Sequence, residues 1–311
     1  MTTRVWVGLG ARRGPDGVER EREKMRSAFT ASPGPVDLVA WGSTLLSAYG
    51  LQRVLRSGYS GPCCQVIRSS DSQAADIPFV AGVFDEAALI EHCTGTDGYL
   101  SIAYDHGVEG RHLTAVAGER PKIYDSATGT VKVGGFIAPQ WDGSDDVLER
   151  ADACGLTGNP DIDTFDVAII SSFAGPSGRV GIGGTGSGEQ INVEQDTTTD
   201  EPQSFRFSGG NQVFTNLADE TAALYSYHAR REAGDQYGDG RMWFSDSELS
   251  EISSTNPTNT PTLTDTKTTW GTRTDGSSPS HKQSCELLIF SGLSLADAAI
   301  IRANQVAYYG A

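Results

Sequence analysis

Bases, cysteines and long apolar runs are all scarce in this sequence. Only 24 basic residues stand against 40 acidic ones, a net charge of −16 over 311 residues. So acidic a body repels phosphate backbones, which excludes a general nucleic-acid binder. No apolar run approaches the roughly 18 residues that a membrane-spanning helix needs. The opening MTTRVWVGLGARRGPDG lacks the basic start and apolar stretch of a signal peptide, so synthesis in a cytoplasm is expected. The five cysteines are Cys63, Cys64, Cys93, Cys154 and Cys285, an odd number in a long chain. Disulfide frameworks favour even counts in short chains, and a bridge between neighbours needs unusual geometry, so five reduced thiols are expected. Neither Cys-x2-Cys nor His-x3-His spacing occurs, so no zinc site, other metal or cofactor is expected.

Glycine, by contrast, is plentiful at 37 residues, above the usual share of about 7%. From about residue 37 the pattern is β. Short apolar runs such as Val66–Arg68, Gly98–Tyr104, Phe165–Ile170, Ser204–Phe207, Ala223–Tyr227, Arg241–Phe244 and Glu286–Phe290 are separated by Gly, Asn, Asp, Ser and Thr. Many short strands with frequent turns predict a sandwich or jelly roll. Two helices are predicted: Phe84–Cys93, with Asp85 as N-cap, and Ser294–Tyr308, with Ser294 as N-cap and Asp297 in the capping-box position. On the second, Ala298, Ile301, Gln305 and Tyr308 follow helical spacing loosely, and Leu295, Ala299, Ile300 and Val306 are expected to fill the face. The polar segments Thr185–Gly210 and Ser253–Thr269 read as long surface loops.

The first 30 residues differ from the rest. They hold seven bases and four acids, a net +3, which leaves −19 for the other 281 residues. Residues 1–36 are therefore read as an arm before a domain at 37–311. The arm is either a solvated helix or a docking segment, with Arg4, Arg12, Arg13, Arg20 and Arg22 as the docking residues.

A series of motifs follows the arm: Leu46–Leu55, Tyr59-Ser60-Gly61-Pro62, Val66–Asp71, Asp76–Phe79, Tyr104-Asp105-His106, Gly110–Leu113 and Arg120–Ile123. In this order the chain resembles the catalytic domain of family-54 glycoside hydrolases, the fungal α-L-arabinofuranosidases. It is similar also, and more so, to related domains in bacteriophage tail, fibre and capsid-associated proteins. The final strand and helix, Glu286–Gly310, resemble the end of many concanavalin A-like jelly rolls. The resemblance implies an all-β, concanavalin A-like jelly-roll β-sandwich with a short N-terminal arm and a C-terminal helix. It runs over about residues 40–311. Read as residues alone, Arg68, Asp71 and Asp105 either tie turns together or touch a ligand.

The phage resemblance implies a virion structural protein: a capsid decoration, head fibre or tail component docked through its arm. Its partners would be capsid or tail proteins in a homo-oligomeric assembly, its location the virion, and its ligand a host surface polysaccharide. Sugar sites need an aromatic platform, and Trp141, Tyr237 and Trp270 are the candidates. Trp243, in an apolar strand, reads as core.

The hydrolase resemblance implies the alternative, a retaining arabinofuranosidase. Two carboxyls are needed, a nucleophile and a general acid/base. The positions nearest the family's pair are Glu194, in Ile191-Asn192-Val193-Glu194, and Asp275, in Gly271–Gly276. The family's Asp-Met-Glu-Asn context is absent at Glu194, and Tyr104–Gly110 departs from its Tyr-Asp-Gln-Ser-Gly-Asn-Gly loop. These departures favour a non-catalytic domain. The glycine run Gly181–Gly188 is followed by a strand-like segment, so it reads as a turn rather than a dinucleotide site. Asp235–Gly240 resembles half of a calcium loop but fits a hairpin turn better.

Overall fold

The computed structural model describes residues 34–39, 44–170, 177–184, 190–195, 202–207, 210–216, 224–236, 239–245, 247–255, 262–272, 274, 276 and 282–310. Residues 1–33 of the arm, with its five arginines, lie outside the described residues, while its end, Pro35 and Val36, is buried against the domain. The main strands are, in chain order, β1 (Leu45–Gly50), β2 (Cys64–Arg68), β3 (Gly98–Ala103), β4 (Lys122–Asp125) and β5 (Leu148–Arg150). They continue as β6 (Ile162–Ile170), β7 (Ser177–Gly183), β8 (Gln190–Gln195), β9 (Pro202–Phe207) and β10 (Gly210–Asn216). Next come β11 (Tyr225–Arg231), β12 (Arg241–Phe244), β13 (Glu251–Thr255), β14 (Lys267–Trp270) and β15 (Lys282–Phe290). Helices α1 (Glu86–His92) and α2 (Leu295–Tyr309) interrupt and follow them.

These strands form a jelly-roll sandwich. A six-stranded sheet runs β1-β15-β6-β11-β12 and ends on the short strand Ser247–Glu248. A 13-stranded sheet runs β13-β10-β9-β8-β7-β14-β5, then Leu113–Thr114, β3, β2 and Ala74–Ile77, with β4 paired to β3 off that path. Between the sheets lie Val66, Leu100, Ile123, Leu148, Val180 and Trp270 from the large one and Leu287 and Ile289 from the small one. Side chains alternate along a strand, so Leu288 and Phe290 point the other way. There they meet Phe165 and the Ala298 and Ile301 positions of α2. Each such fully buried aliphatic or aromatic side chain is worth about 1.5–3 kcal/mol.

Both predicted N-caps form. The Asp85 carboxylate accepts from Ala88 N at 3.2 Å. Ser294 Oγ accepts from Asp297 N at 3.1 Å and donates to the Asp297 carboxylate at 2.7 Å. Gly310, at φ 73°, ends α2 in the left-handed geometry that glycine permits. The buried face of α2 follows the looser spacing expected for Ala298, Ile301, Gln305 and Tyr308, and not the residues expected to fill it. It is Ala298, Ile301, Arg302, Gln305, Tyr308 and Tyr309, while Leu295 and Ile300 are more than 40% exposed. The reason is that the helix covers charged strand residues as well as apolar ones. Glu286 of β15 receives Arg53, Gln305 Nε2 at 2.9 Å and Tyr309 Oη at 2.8 Å.

The predicted loop segments need correcting. Thr185–Gly210 contains β8 and β9, and Ser253–Thr269 contains the end of β13 and most of β14. Gly181 and Gly183 lie within β7 rather than in a turn. Asp235–Gly240 does join β11 to β12 as a hairpin, tied by Glu232 N and Gln236 N donating to Asp235 and Asp239. The five cysteines are all buried and unpaired. No helix among the described residues is long and apolar enough to cross a membrane.

Candidate active site

The outward face of the large sheet carries the site. Asn192 of β8, Gly181 of β7, Thr269 of β14 and Glu149 of β5 stand in one row of paired positions. Their neighbours Val180, Ile182, Trp270 and Leu148 point inward to the core. Gly181 is needed there for close approach. A β-carbon on it would sit 2.6 Å from Thr269 Oγ1, 2.7 Å from Thr274 N and 2.9 Å from Asn192 Oδ1, which a real side chain could not tolerate. The segment after β14 thus folds down onto β7 and β8. Thr269 Oγ1 donates to Thr272 O at 2.7 Å, and Thr274 Oγ1 donates to Gly184 O at 2.7 Å. Asn192 is 1% exposed, yet neither its Oδ1 nor its Nδ2 has a hydrogen-bond partner. Buried amides left open in this way cost stability and mark sites.

The floor under this segment is rigid. Trp141 Nε1 donates to Trp270 O at 3.2 Å, and Trp270 Nε1 donates to Asp166 at 3.2 Å. Asp166 also accepts from Ser284 Oγ at 2.6 Å and from Lys282 Nζ at 3.0 Å. Gly271, at φ 108°, lies so close to the Trp141 indole that any side chain there would overlap it. Both tryptophans are fully buried. They are therefore core supports, and the expectation that they form a glycan platform is corrected. Trp243 is core, as expected from its apolar strand. Tyr237 and Asp275 lie outside the described residues.

Glu194 lies on β8, in register with Gly178 and Ser204, instead of in a polar loop. It is two residues along from Asn192. Asp275 follows Thr274 directly. The described neighbours of these positions, Asn192 and Thr274, meet across Gly181. The missed members of this site are Gly181, Asn192 and Thr274. The period-two alternation Ile191-Asn192-Val193-Glu194 is the signal behind the strand-like reading after Gly188, and it extends to Glu194.

A groove of about 970 Å³ opens farther along the same face. Tyr99, Arg68, Arg120, Lys122, Gln140 and Asp146 line it. It adjoins the site, since Asp146 O lies against the backbone at Gly271. Burial, aided by the charges of Asp142 and Asp145, pushes the Asp146 carboxyl up to about 6. Carboxylate oxygens of Asp142, Asp145 and Asp146 lie within 4.8 Å of one another, the one set among the described residues that could gather a cation.

The motif residues near the start of the domain are structural. Asp105 accepts from Ala48 N, Gly107 N and Arg111 N at 2.8–2.9 Å, tying the loop as its position suggested. His106 accepts from Leu55 N at 3.2 Å and stacks on Tyr59. Its burial pushes its pKa down to about 3. Arg68 pairs with Asp71 at 3.4 Å.

Comparison with known proteins bears on this same stretch. A family model described as "Alpha-L-arabinofuranosidase B, catalytic" matches residues 35–134. "Probable alpha-L-arabinofuranosidase B" of Aspergillus fumigatus is 38% identical over 123 residues, which is 39% of this chain and 21% of the relative. An α-L-arabinofuranosidase of Hypocrea jecorina is 34% identical over 122 residues, again 39% and 21%. The chain thus spans about a fifth of the length of these curated relatives. A GH54 α-L-arabinofuranosidase solved with a cyclic sulfate inhibitor has a TM-score of 0.69 at 17% identity, covering 89% of this chain and 65% of that one. An arabinofuranosidase complexed with arabinofuranosyl-α-1,2-xylobiose gives 0.66 at 18% identity, with the same coverage.

The chain resembles a GH54 catalytic domain. That resemblance overturns the expected virion role and virion location. The motifs read as phage-like fall in the stretch matched by a hydrolase catalytic domain and by fungal enzymes, and nothing in the matches points to a bacteriophage. The expectation of a non-catalytic domain likewise finds no support.

Proposed function

We propose that this chain is a retaining glycoside hydrolase of the α-L-arabinofuranosidase type, with Glu194 as nucleophile and Asp275 as general acid/base. One observation carries the reading. Thr274 N and Asn192 Oδ1 approach the same point at Gly181, at 2.7 and 2.9 Å, and each lies within two residues of one of these carboxyls. A retaining pair needs its carboxyls about 5–5.5 Å apart, and the approach of β8 and Thr274 at Gly181 supports such a pair. Glu194 attacks the anomeric carbon as Asp275 gives its proton to the departing glycosidic oxygen. Water, deprotonated by Asp275, then releases the sugar from the glycosyl ester and frees Glu194. Asn192, with both amide atoms open beside this point, is suited to hold a sugar hydroxyl.

Hydrolysis of 4-nitrophenyl α-L-arabinofuranoside tests the reading. The wild type is expected to turn over. Glu194→Gln is expected to lower kcat by at least about 10³-fold, the scale on which loss of a nucleophile acts. A folded wild type that releases no nitrophenol, or a Glu194→Gln variant as active as the wild type, overturns it.

A further inference from the structure

Four cations line the groove beside the site: Arg68, Arg120, Lys122 and Lys132. Three are already engaged. Lys122 Nζ sits 3.0 Å from Asp97 and 3.1 Å from Asp125, Lys132 sits 2.7 Å from Glu86, and Arg68 faces Asp71. Arg120 is different. Among the described residues its guanidinium has no carboxylate partner, and its Nε, like that of Arg68, is removed from solvent without a hydrogen-bond acceptor. An acidic chain of net charge −16 has no shortage of carboxylates to pair with it. Leaving a half-buried arginine open costs stability, while its planar fork suits bidentate capture of a carboxylate. Tyr99 and Ile67 form an apolar wall of the same groove, the kind of surface on which a sugar ring lies.

We propose that this groove binds the carboxylate of a uronic-acid-bearing glycan, with Arg120 as its anchor, Lys122 beside it and Tyr99 under the ring. Because the groove adjoins the segment leading to Asp275, it would hold a charged part of the polymer next to the sugar being released. The assignment of the anion to a glycan rests on the hydrolase reading; the anion site itself does not.

Titration calorimetry on the full chain at low ionic strength tests the proposal, with tetragalacturonate, neutral arabinotriose and inorganic phosphate as probes. Tetragalacturonate is expected to bind saturably and more tightly than either of the others. Arg120→Gln is expected to weaken it by at least about tenfold, and Arg120→Lys by less, because charge remains while the fork is lost. Thermal melting of each variant checks that it is folded. The proposal is overturned if tetragalacturonate does not bind, if folded Arg120→Gln binds it as the wild type does, or if arabinotriose binds equally well. Phosphate binding as tight as that of tetragalacturonate overturns it too, since the site would then read charge alone. Uronate binding without nitrophenol release sinks the hydrolase reading and leaves the anion site standing. Nitrophenol release without uronate binding does the reverse.

Discussion

On the six-stranded sheet, the buried carboxylates Glu286, Asp163 and Asp166 are each met by several partners; on the outward face of the large sheet, the Asn192 amide and the Arg120 Nε are left open. Glu286 is met by Arg53, Gln305 and Tyr309. Asp163 is met by Arg230 and by His228, whose other ring nitrogen faces Arg302 at 2.8 Å. Burial lowers the His228 pKa, so its ring is read as neutral, donating to Asp163 and accepting from Arg302. Asn192 and Arg120, by contrast, hold buried nitrogens or oxygens with nothing to bond. A closed network fixes how α2 sits on its sheet. An open one keeps capacity for something that arrives later.

The largest expected effect breaks a closed set. Glu286→Ala leaves Arg53 buried and unpaired, and urea unfolding should show a loss of about 3–5 kcal/mol. A loss under 1 kcal/mol would mean that the set is decorative and that the contrast between the sheets fails.

A smaller effect concerns His106, which is buried as the neutral form. Its folded pKa of about 3 lies below the unfolded value of about 6.5, so between those values the unfolded chain binds more protons. Stability should therefore fall as pH drops through that window, by about 2 kcal/mol from pH 7 to pH 5 for this group. His106→Phe should flatten that acid limb while lowering stability at pH 7, since Leu55 N loses its acceptor. An unchanged limb in melts run from pH 7 to 5 would remove His106 as its cause.

The smallest effect sharpens the other side of the comparison. Asn192→Leu removes two unpaired polar atoms at little cost in packing. Stability should stay within about 1 kcal/mol of the wild type or rise, while arabinofuranoside turnover falls. A loss as large as that of Glu286→Ala would show that Asn192 is structural.

What the sequence made legible follows from how local the cause is. Asp85 and Ser294 act within three residues, and both caps were readable. Apolar runs such as Phe165–Ile170 announced β6 because burial on both faces demands such residues. Asp105 revealed its loop-tying role because its targets lie close by in the chain or at one crossing. Burial of Arg302 on α2 was not readable, since its partner His228 comes from β11. Trp141 and Trp270 look like sugar platforms in sequence and are core for the same reason: only the fold brings Asp166 and Gly271 to them. β8 and β9 were half legible: the run after Gly188 and Ser204–Phe207 read as strand-like, but the polar and glycine residues around them made the whole segment read as a loop. The site itself was half legible. The proposed carboxyls, Glu194 and Asp275, were named from a resemblance, while Gly181 and Asn192 carry no signature that spacing alone could show.

β15 lies between β1 and β6, so Gly50 pairs with Glu286 across more than two hundred residues of chain. The six-stranded sheet therefore assembles in a different order from the one in which it is made. Until β15 emerges from the ribosome, β1 and β6 are both exposed edges awaiting the same partner, and they are open to wrong pairings during that time. A sheet closed by such distant contacts folds slowly. For this protein, the time between synthesis of β1 and arrival of β15 is the interval in which a chaperone would matter most.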